Sequence, residues 1–399
     1  MKSAQAKALF APEMSLLAIV LYLVEFVRGA ALISFLPIYG KNALGLDLDV
    51  IGVAITAHYL TDTAVKLAIG YLMHHLSVRI LVSGGLALSL AGILFIGYAY
   101  SPWMFIAASA LYGVGISPIW IVCLTKVQEN RRATQMGVLY TIWLVGLGTG
   151  PAVTNFTLER SDDLTYWIMV AVSGAAWLLS LFIPHASHAE LDYVPFRKQL
   201  ALLGDRLREM NLLLPGMVLQ TLAAGMLVPI LPSFAEGHLG LSHSQYSVLL
   251  LIGGGCTAAG LIPMGRLSDH LGKKWFLVVG FVLFGLALCA LTGMTSLGLA
   301  FAWAFVLGAA YAAVLPAWNA LLAAYVPPGQ QGLGWGVFST VEGVGGLIGP
   351  SLGGVLATSF GESTVVRLAG GIFILISLFY LLFPFRMFRG EGAAGDTAR

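Results

Sequence analysis

Apolar runs of about 20 residues recur from one end of this 399-residue chain to the other, broken only by short polar stretches. A helix of that length crosses about 30 Å of hydrocarbon. Inside a bilayer every backbone polar group must be satisfied within the protein, which leaves only helices and closed barrels as spanning structures. The runs show no period-2 alternation, so the expected fold is an all-α membrane bundle. Composition agrees: 58% of residues are hydrophobic and 10% charged, with a mean hydropathy of +0.87, far outside the range of soluble domains. The first run opens near Ser15 and continues past Pro37, too long for a signal-peptide core, and reads as the first helix of the mature protein. Cys123, Cys256 and Cys289 all lie inside apolar runs without paired or metal-type spacing and read as packing residues.

A window of about 19 residues places twelve spans near residues 14–38, 49–73, 78–100, 102–125, 134–157, 164–184, 211–235, 244–268, 273–295, 298–325, 332–357 and 365–388. The longest polar stretch runs from His185 to Met210, giving an N-terminal six-helix half (1–184), a central loop (185–210) and a C-terminal six-helix half (211–399). Lysine and arginine crowd one side: Lys2 and Lys7, Arg79, Lys126 with Arg131 and Arg132, the central loop, Arg266 with Lys273 and Lys274, and the tail. The other side holds only Lys41, Arg160 and Arg367. The positive-inside rule then puts both termini and the central loop in the cytoplasm.

The halves repeat. "FLPIYGKNALGL" aligns with "ILPSFAEGHLGL", setting Pro37 on Pro232 at an offset of 195; "SPIWIVCL" aligns with "LPAWNALL", setting Pro118 on Pro316 and Trp120 on Trp318 at 198. "GVLYTIWLVGLGTGP" aligns with "GVFSTVEGVGGLIGP" at 199. Three matches in one order with slowly drifting offsets mark a duplicated six-helix unit.

A loop motif names the superfamily. "GRLSDHLGKK", Gly265 to Lys274, resembles the G-x-L-x-D-x-x-G-[RK]-[RK] signature of the major facilitator superfamily of secondary transporters, at its second-half position. Gly265 and Gly272 are expected to allow a tight turn, and Asp269 to cap a helix start or pair with a base; with Lys273 they form the expected cytoplasmic gating motif. The first-half counterpart, "GYLMHHLSVR", departs from it, with His74 in place of the aspartate and Ser77 in place of the second glycine. The glycine-rich segments ending at Pro151 and Pro350 also resemble a superfamily signature, one often linked to antiporters.

Four charges lie well inside the first two spans. Glu25 and Arg28 are spaced i, i+3 and Asp62 and Lys66 i, i+4, so each pair can share a helix face, and an unpaired charge at the bilayer centre costs on the order of 2.5–3.5 kcal/mol. One reading is a neutralised structural cluster. The other is a water-filled cavity in which a carboxylate, Asp62 or Glu25, carries the coupling proton and Arg28 contacts substrate. The repeat positions of the four are Gln220, Ala223, Thr257 and Leu261, so the second half has lost this chemistry. A cavity between the halves would then have one charged wall and one mostly apolar wall, relieved by Gln220, Asn319 and Glu342, and would suit an amphiphile. Trp120 and Trp143 can stack on pyranose faces, although either alone reads as packing or as an interfacial anchor. Glu342 stands at the repeat position of Trp143 and is a second candidate for protonation.

"EFVRGAALISFLP", "AHYLTDTAVKLAIG", "GISPIWIV", "QMGVLYTIWLVGLGTG" and "LPAWNALLA" resemble the LtaA-type glycolipid flippases, which move the diglucosyl-diacylglycerol anchor of lipoteichoic acid across the membrane of Gram-positive bacteria. The resemblance implies proton-coupled flipping, with Glu25, Arg28, Asp62, Trp120 and Trp143 at the headgroup and coupling positions; Lys66 and Glu342 do not carry over from it. It implies protons as the coupling ion with no other cofactor, a glycolipid as substrate, a monomer in the cell membrane, and glycolipid synthase and lipoteichoic acid synthase as functional neighbours. A proton-coupled multidrug or small-amphiphile exporter of the same fold is the alternative, disfavoured because Arg28 and Lys66 repel cations; a nutrient importer ranks third. No phosphate-cradling loop, metal-ligand spacing or nucleophile constellation is present, so no enzyme, metal or nucleic-acid role is expected.

Overall fold

Residues 12–126, 132–184, 212–294, 296–323 and 331–382 are described in the computed structural model. The central loop, the N-terminal lysines, Arg131 and the tail arginines lie outside them. Within the described residues the chain is helical and contains no strand. It divides into two compact units, Met1–Val194 and Pro195–Arg399.

In the first unit, α1 (Pro12–Asn42), α2 (Leu48–His75), α3 (Val78–Gly97), α4 (Pro102–Thr125), α5 (Arg132–Leu158) and α6 (Asp162–Ser180) follow one another in chain order. Serines start three of them: Ser77, Ser101 and Ser161 each accept from the backbone N–H three residues on, which satisfies an orphan donor. In the second unit, α7 (Leu214–Leu227) and α8 (Leu231–Gly237) form one span bent by 49°. They precede α9 (His243–Leu271), α10 (Lys273–Leu291), α11 (Leu297–Ala323), α12 (Gln331–Phe360) and α13 (Glu362–Leu382). Taking the bent pair as one, the described residues hold twelve long helical segments. Length and apolarity alone qualify nine helices, or ten with the bent pair; α2 and α5 fall short. In α2 the reason is plain, because His58, Asp62 and Lys66 sit in its middle.

The two units pack alike. The closest pairings are α1 with α5, α2 with α4 and α3 with α4 in the first unit, and α7 with α12, α9 with α11, α10 with α13 and α10 with α11 in the second. Glycine makes the first of these possible in both. A Cβ on Gly150 would strike the Phe26 carbonyl oxygen, and one on Gly349 would lie 2.7 Å from the Leu222 carbonyl oxygen.

The first span of each unit also departs from α geometry at the same repeat position. In α1, residues Ala30–Phe35 wind as a π-helix; in the second unit the chain breaks between Leu227 and Leu231. Proline is the cause, since it removes a donor and crowds the carbonyl four residues back. Pro37 alone is absorbed as a π segment. The second unit has Pro229 as well as Pro232, with Pro229 standing where the first has Ser34 at the 195 offset, and the helix breaks.

Candidate functional site

Asp62 lies in mid-α2 and is 3% exposed. Its Oδ2 meets Lys66 Nζ at 2.6 Å, one turn along the same helix. Its Oδ1 accepts from Ser117 Oγ of α4 at 2.5 Å, and the same hydroxyl is 2.8 Å from the Asp62 carbonyl. The carboxylate is thus held from two helices. Lys66 is the most accessible of the four charges, its side chain 34% exposed.

Glu25, on α1, is equally buried at 2%. Its Oε2 lies 2.9 Å from Arg28 Nε, yet the alignment is too oblique for a hydrogen bond, and that oxygen has no other partner. Glu25 is therefore paired in charge but short of hydrogen bonds, the position of a group that can accept a proton. Gly146 of α5 sets how closely α5 approaches: a Cβ there would lie 2.9 Å from the Glu25 Cβ.

One turn before Gly146, Trp143 faces Arg28, whose guanidinium carbon is 5.9 Å from the ring centroid, within cation–π range. Trp120, one turn after Ser117 on α4, lies 6.5 Å from Trp143 and meets Tyr140 edge-on at 5.2 Å. Consequently α4 joins the two ion pairs, through Ser117 to Asp62 and through Trp120 to Trp143 and Arg28. The pairs also interact electrostatically, Arg28 with Asp62 and Glu25 with Lys66. All five residues expected at the headgroup and coupling positions, and Lys66 with them, come together in the first unit.

The repeat positions assemble a different cluster in the second unit. Glu342 of α12 accepts from Trp318 Nε1 at 3.0 Å and from Gln220 Nε2 at 3.4 Å. Gln220, Trp318 and Glu342 occupy the places of Glu25, Trp120 and Trp143, so the acid has moved from the first span of the unit to the fifth. Trp318 is 2% exposed, while Asn319 beside it is exposed and stands apart from the cluster.

The loop motif behaves differently from expectation at two positions. Gly272, with φ +97°, is the whole corner between α9 and α10, a conformation that suits glycine. Gly265 is no part of a turn: it lies within α9, facing Pro316 of α11, and a Cβ there would meet that ring only in ordinary contact at 3.4 Å. Asp269 caps no helix start, because it sits exposed in the last turn of α9, and Lys273 opens α10. In the first unit the corresponding corner is made without glycine: Leu76 and Ser77 are extended and Ser77 caps α3. That accounts for the serine in place of the second glycine.

Ser117, Tyr140 and the buried His58 were not singled out by sequence reasoning. Ser117 directly precedes the proline of "SPIW", and His58 precedes Asp62 by four residues; those spacings were the available signals.

A sequence profile of the Major Facilitator Superfamily matches residues 14–209 and 213–397. The chain is 31% identical over 371 residues to a protein of Staphylococcus saprophyticus described as proton-coupled antiporter flippase LtaA, covering 92% of each. It is 29% identical over 381 residues to the protein of that description from Staphylococcus haemolyticus, covering 94% of this chain and 95% of the relative. Among solved structures, the nucleoside transporter NupG superposes with a TM-score of 0.77 over 95% of this chain and 100% of its own, at 14% identity. A bacterial homologue of the human lysosomal transporter Spinster gives 0.72 over 92% and 95%, at 15% identity. These two likenesses are of fold. With the duplicated six-helix architecture, the profile match and relatives of this similarity along nearly its whole length, the chain belongs to the Major Facilitator Superfamily and groups there with its LtaA-type flippases.

Proposed function

We propose that this protein is a proton-coupled flippase that moves a diglucosyl-diacylglycerol lipid, the anchor of lipoteichoic acid, from the inner to the outer leaflet by alternating access. The observation that carries the reading is the buried set in the first unit, two carboxylates each paired with a cation, next to the Trp120–Trp143 ring pair. Such a set can bond sugar hydroxyls through its charges and stack a pyranose on its rings. The relatives' description as proton-coupled antiporter flippases supports the same activity.

On this reading Asp62 and Glu25 are the proton-coupling groups. A closing step that desolvates a carboxylate is costly, and a bound proton removes the cost, so protonation shifts the balance between inward-open and outward-open states. Arg28, Trp120 and Trp143 hold the headgroup, and no covalent chemistry takes place. The working unit is a monomer in the cell membrane of a Gram-positive bacterium with both termini cytoplasmic, and glycolipid synthase and lipoteichoic acid synthase act before and after it.

The test uses purified protein in liposomes doped with fluorescent diglucosyl-diacylglycerol, a membrane-impermeant bleaching agent outside, and an imposed pH gradient. Bleaching beyond the outer-leaflet fraction, accelerated by the gradient, is the expected result. Bleaching that stops at that fraction under every gradient, with folded protein, would overturn the glycolipid assignment and leave export of small amphiphiles as the working reading.

A further inference from the structure

His58 is fully buried in the middle of α2, and neither of its ring nitrogens has a hydrogen-bond partner. The Ser109 backbone comes near enough to interact without forming an aligned bond. A buried imidazole left unbonded on both nitrogens is uncommon, because each polar atom so stranded costs roughly 1–3 kcal/mol. Its surroundings indicate what the cost supports. Tyr112 of α4 lies over the ring at 4.9 Å and Tyr59 stands beside it at 5.5 Å. The Tyr112 hydroxyl is likewise buried without a partner. That tyrosine also lines a cavity of about 10 Å³ shared with Ser89, Ser173 and Val24, large enough for one water.

The charged groups that act on His58 are few. Asp62 and Lys66 follow on its own helix, and Arg28 reaches it from α1. Asp62 stands one turn away on the same face, roughly 5–6 Å between Cβ atoms. With no hydrogen bond between the two side chains, a proton passes between them through one bridging water.

We infer that His58 is a proton-relay residue that delivers the coupling proton to Asp62. The inference rests on the proton-coupled reading above and names the donor that reading lacks. α2 runs from the 1/2 corner, where basic residues are scarce, toward the basic 2/3 corner, so His58 lies on the extracytoplasmic side of Asp62. An incoming proton binds the lone pair of one ring nitrogen. The proton on the other nitrogen leaves for the Asp62 carboxylate, giving a neutral acid and a neutral imidazole in its other tautomer. Charge and protons balance, and Ser117 holds the acceptor in place meanwhile.

The test compares wild type with His58→Gln, which keeps a polar side chain but cannot carry a proton at neutral pH. In the liposome assay the variant should lose the response to an imposed pH gradient and flip about a hundredfold more slowly, the low end of what removing a positioned proton-transfer group costs. Quenching of tryptophan fluorescence by the glycolipid should stay within about twofold, because His58 does not touch the headgroup set. A variant with the full gradient response would overturn the inference.

A second measurement stands free of the substrate. Nitrogen NMR of histidine-labelled full-length protein, assigned through His58→Gln, should show a neutral His58 ring exchanging between its two tautomers at neutral pH, and that exchange should be lost in Asp62→Asn, which cannot take the proton. A ring fixed in one tautomer overturns the relay even where glycolipid flipping is confirmed; tautomer exchange that depends on Asp62 upholds it even where the glycolipid proves to be the wrong substrate.

Discussion

Trp318 donates its indole N–H to Glu342 across 3.0 Å, and the two residues stand where the first unit has Trp120 and Trp143. Duplication therefore kept the geometry and moved the acid. The two acids differ in their partners: Glu342 accepts from neutral donors, Trp318 and Gln220, whereas Glu25 faces Arg28. Glu342→Gln retains an oxygen for the indole and should leave the unfolding temperature within about 2 °C of wild type. Glu25→Gln strands a mostly buried guanidinium and should cost on the order of 3 kcal/mol. Equal losses in a detergent melting experiment would show that the Arg28 pairing has no stabilising role.

Asp62 is held by Ser117 and Lys66 together, so replacing its charge and replacing its shape are separable. Asp62→Asn keeps an oxygen for the Ser117 hydroxyl and the backbone bond to the same group, and the protein should fold. It cannot exchange a proton near neutral pH, so flipping should no longer respond to an imposed gradient. If the gradient response survives unchanged, the coupling proton rides on Glu25 or Glu342.

Much of this was legible in the sequence because membrane spans and duplications write themselves in long patterns. The spans follow from runs of about 20 apolar residues, and Glu25, Arg28, Asp62 and Lys66 stand out because charges are rare there. The shift of the acid to Glu342 could be read once Gly137–Pro151 was set on Gly336–Pro350. Single-residue features were not legible. His58 is one polar letter in an apolar run, and only the packing of α2 on α4 shows that it lacks partners. Ser117 matters because of where α4 puts it. The π segment and the 49° break follow from one proline or two, a difference visible in the sequence whose outcome depends on how the backbone relaxes. Gly265 looked like a turn residue because the motif places it before a corner, yet it lies within α9.

The third span of each unit ties down the end of the sixth. Arg79 donates through Nε to the Leu181 carbonyl at 2.8 Å, and Lys274, its repeat position, donates through Nζ to the Leu381 carbonyl at 3.1 Å. Each base meets carbonyls that the end of a helix leaves unsatisfied, at the negative pole of the dipole. Burial separates the two: Lys274 is 5% exposed, whereas the Arg79 contact is exposed. Lys274→Met should therefore cost about 1–3 kcal/mol, the price of an unmet buried carbonyl, and Arg79→Met at most about 1 kcal/mol. Thermal melts of the two variants check the order, and a larger loss at Arg79 would contradict it.

Gly148 and Gly150 offer the sharpest test of the α1–α5 contact, since they are two residues apart on one helix and differ only in what they face. Nothing lies within 4 Å of a Cβ built on Gly148, while one on Gly150 would collide with the Phe26 carbonyl oxygen and lie 2.7 Å from the Ala30 nitrogen. Backbone atoms cannot swing aside as a side chain can, so Gly150→Ala must push α5 off α1. Overpacking of this kind costs about 1–3 kcal/mol, and it acts on the helix pair that carries Glu25, Arg28 and Trp143. Gly148→Ala should be neutral or slightly stabilising, because alanine is the better helix former. Gly150→Ala should both melt earlier and bind the glycolipid more weakly, since widening the α1–α5 gap separates Arg28 from the Trp143 ring. A Gly150→Ala protein that melts like wild type would mean that α5 can shift without loss, and the close glycine contact would then have no part in shaping the site.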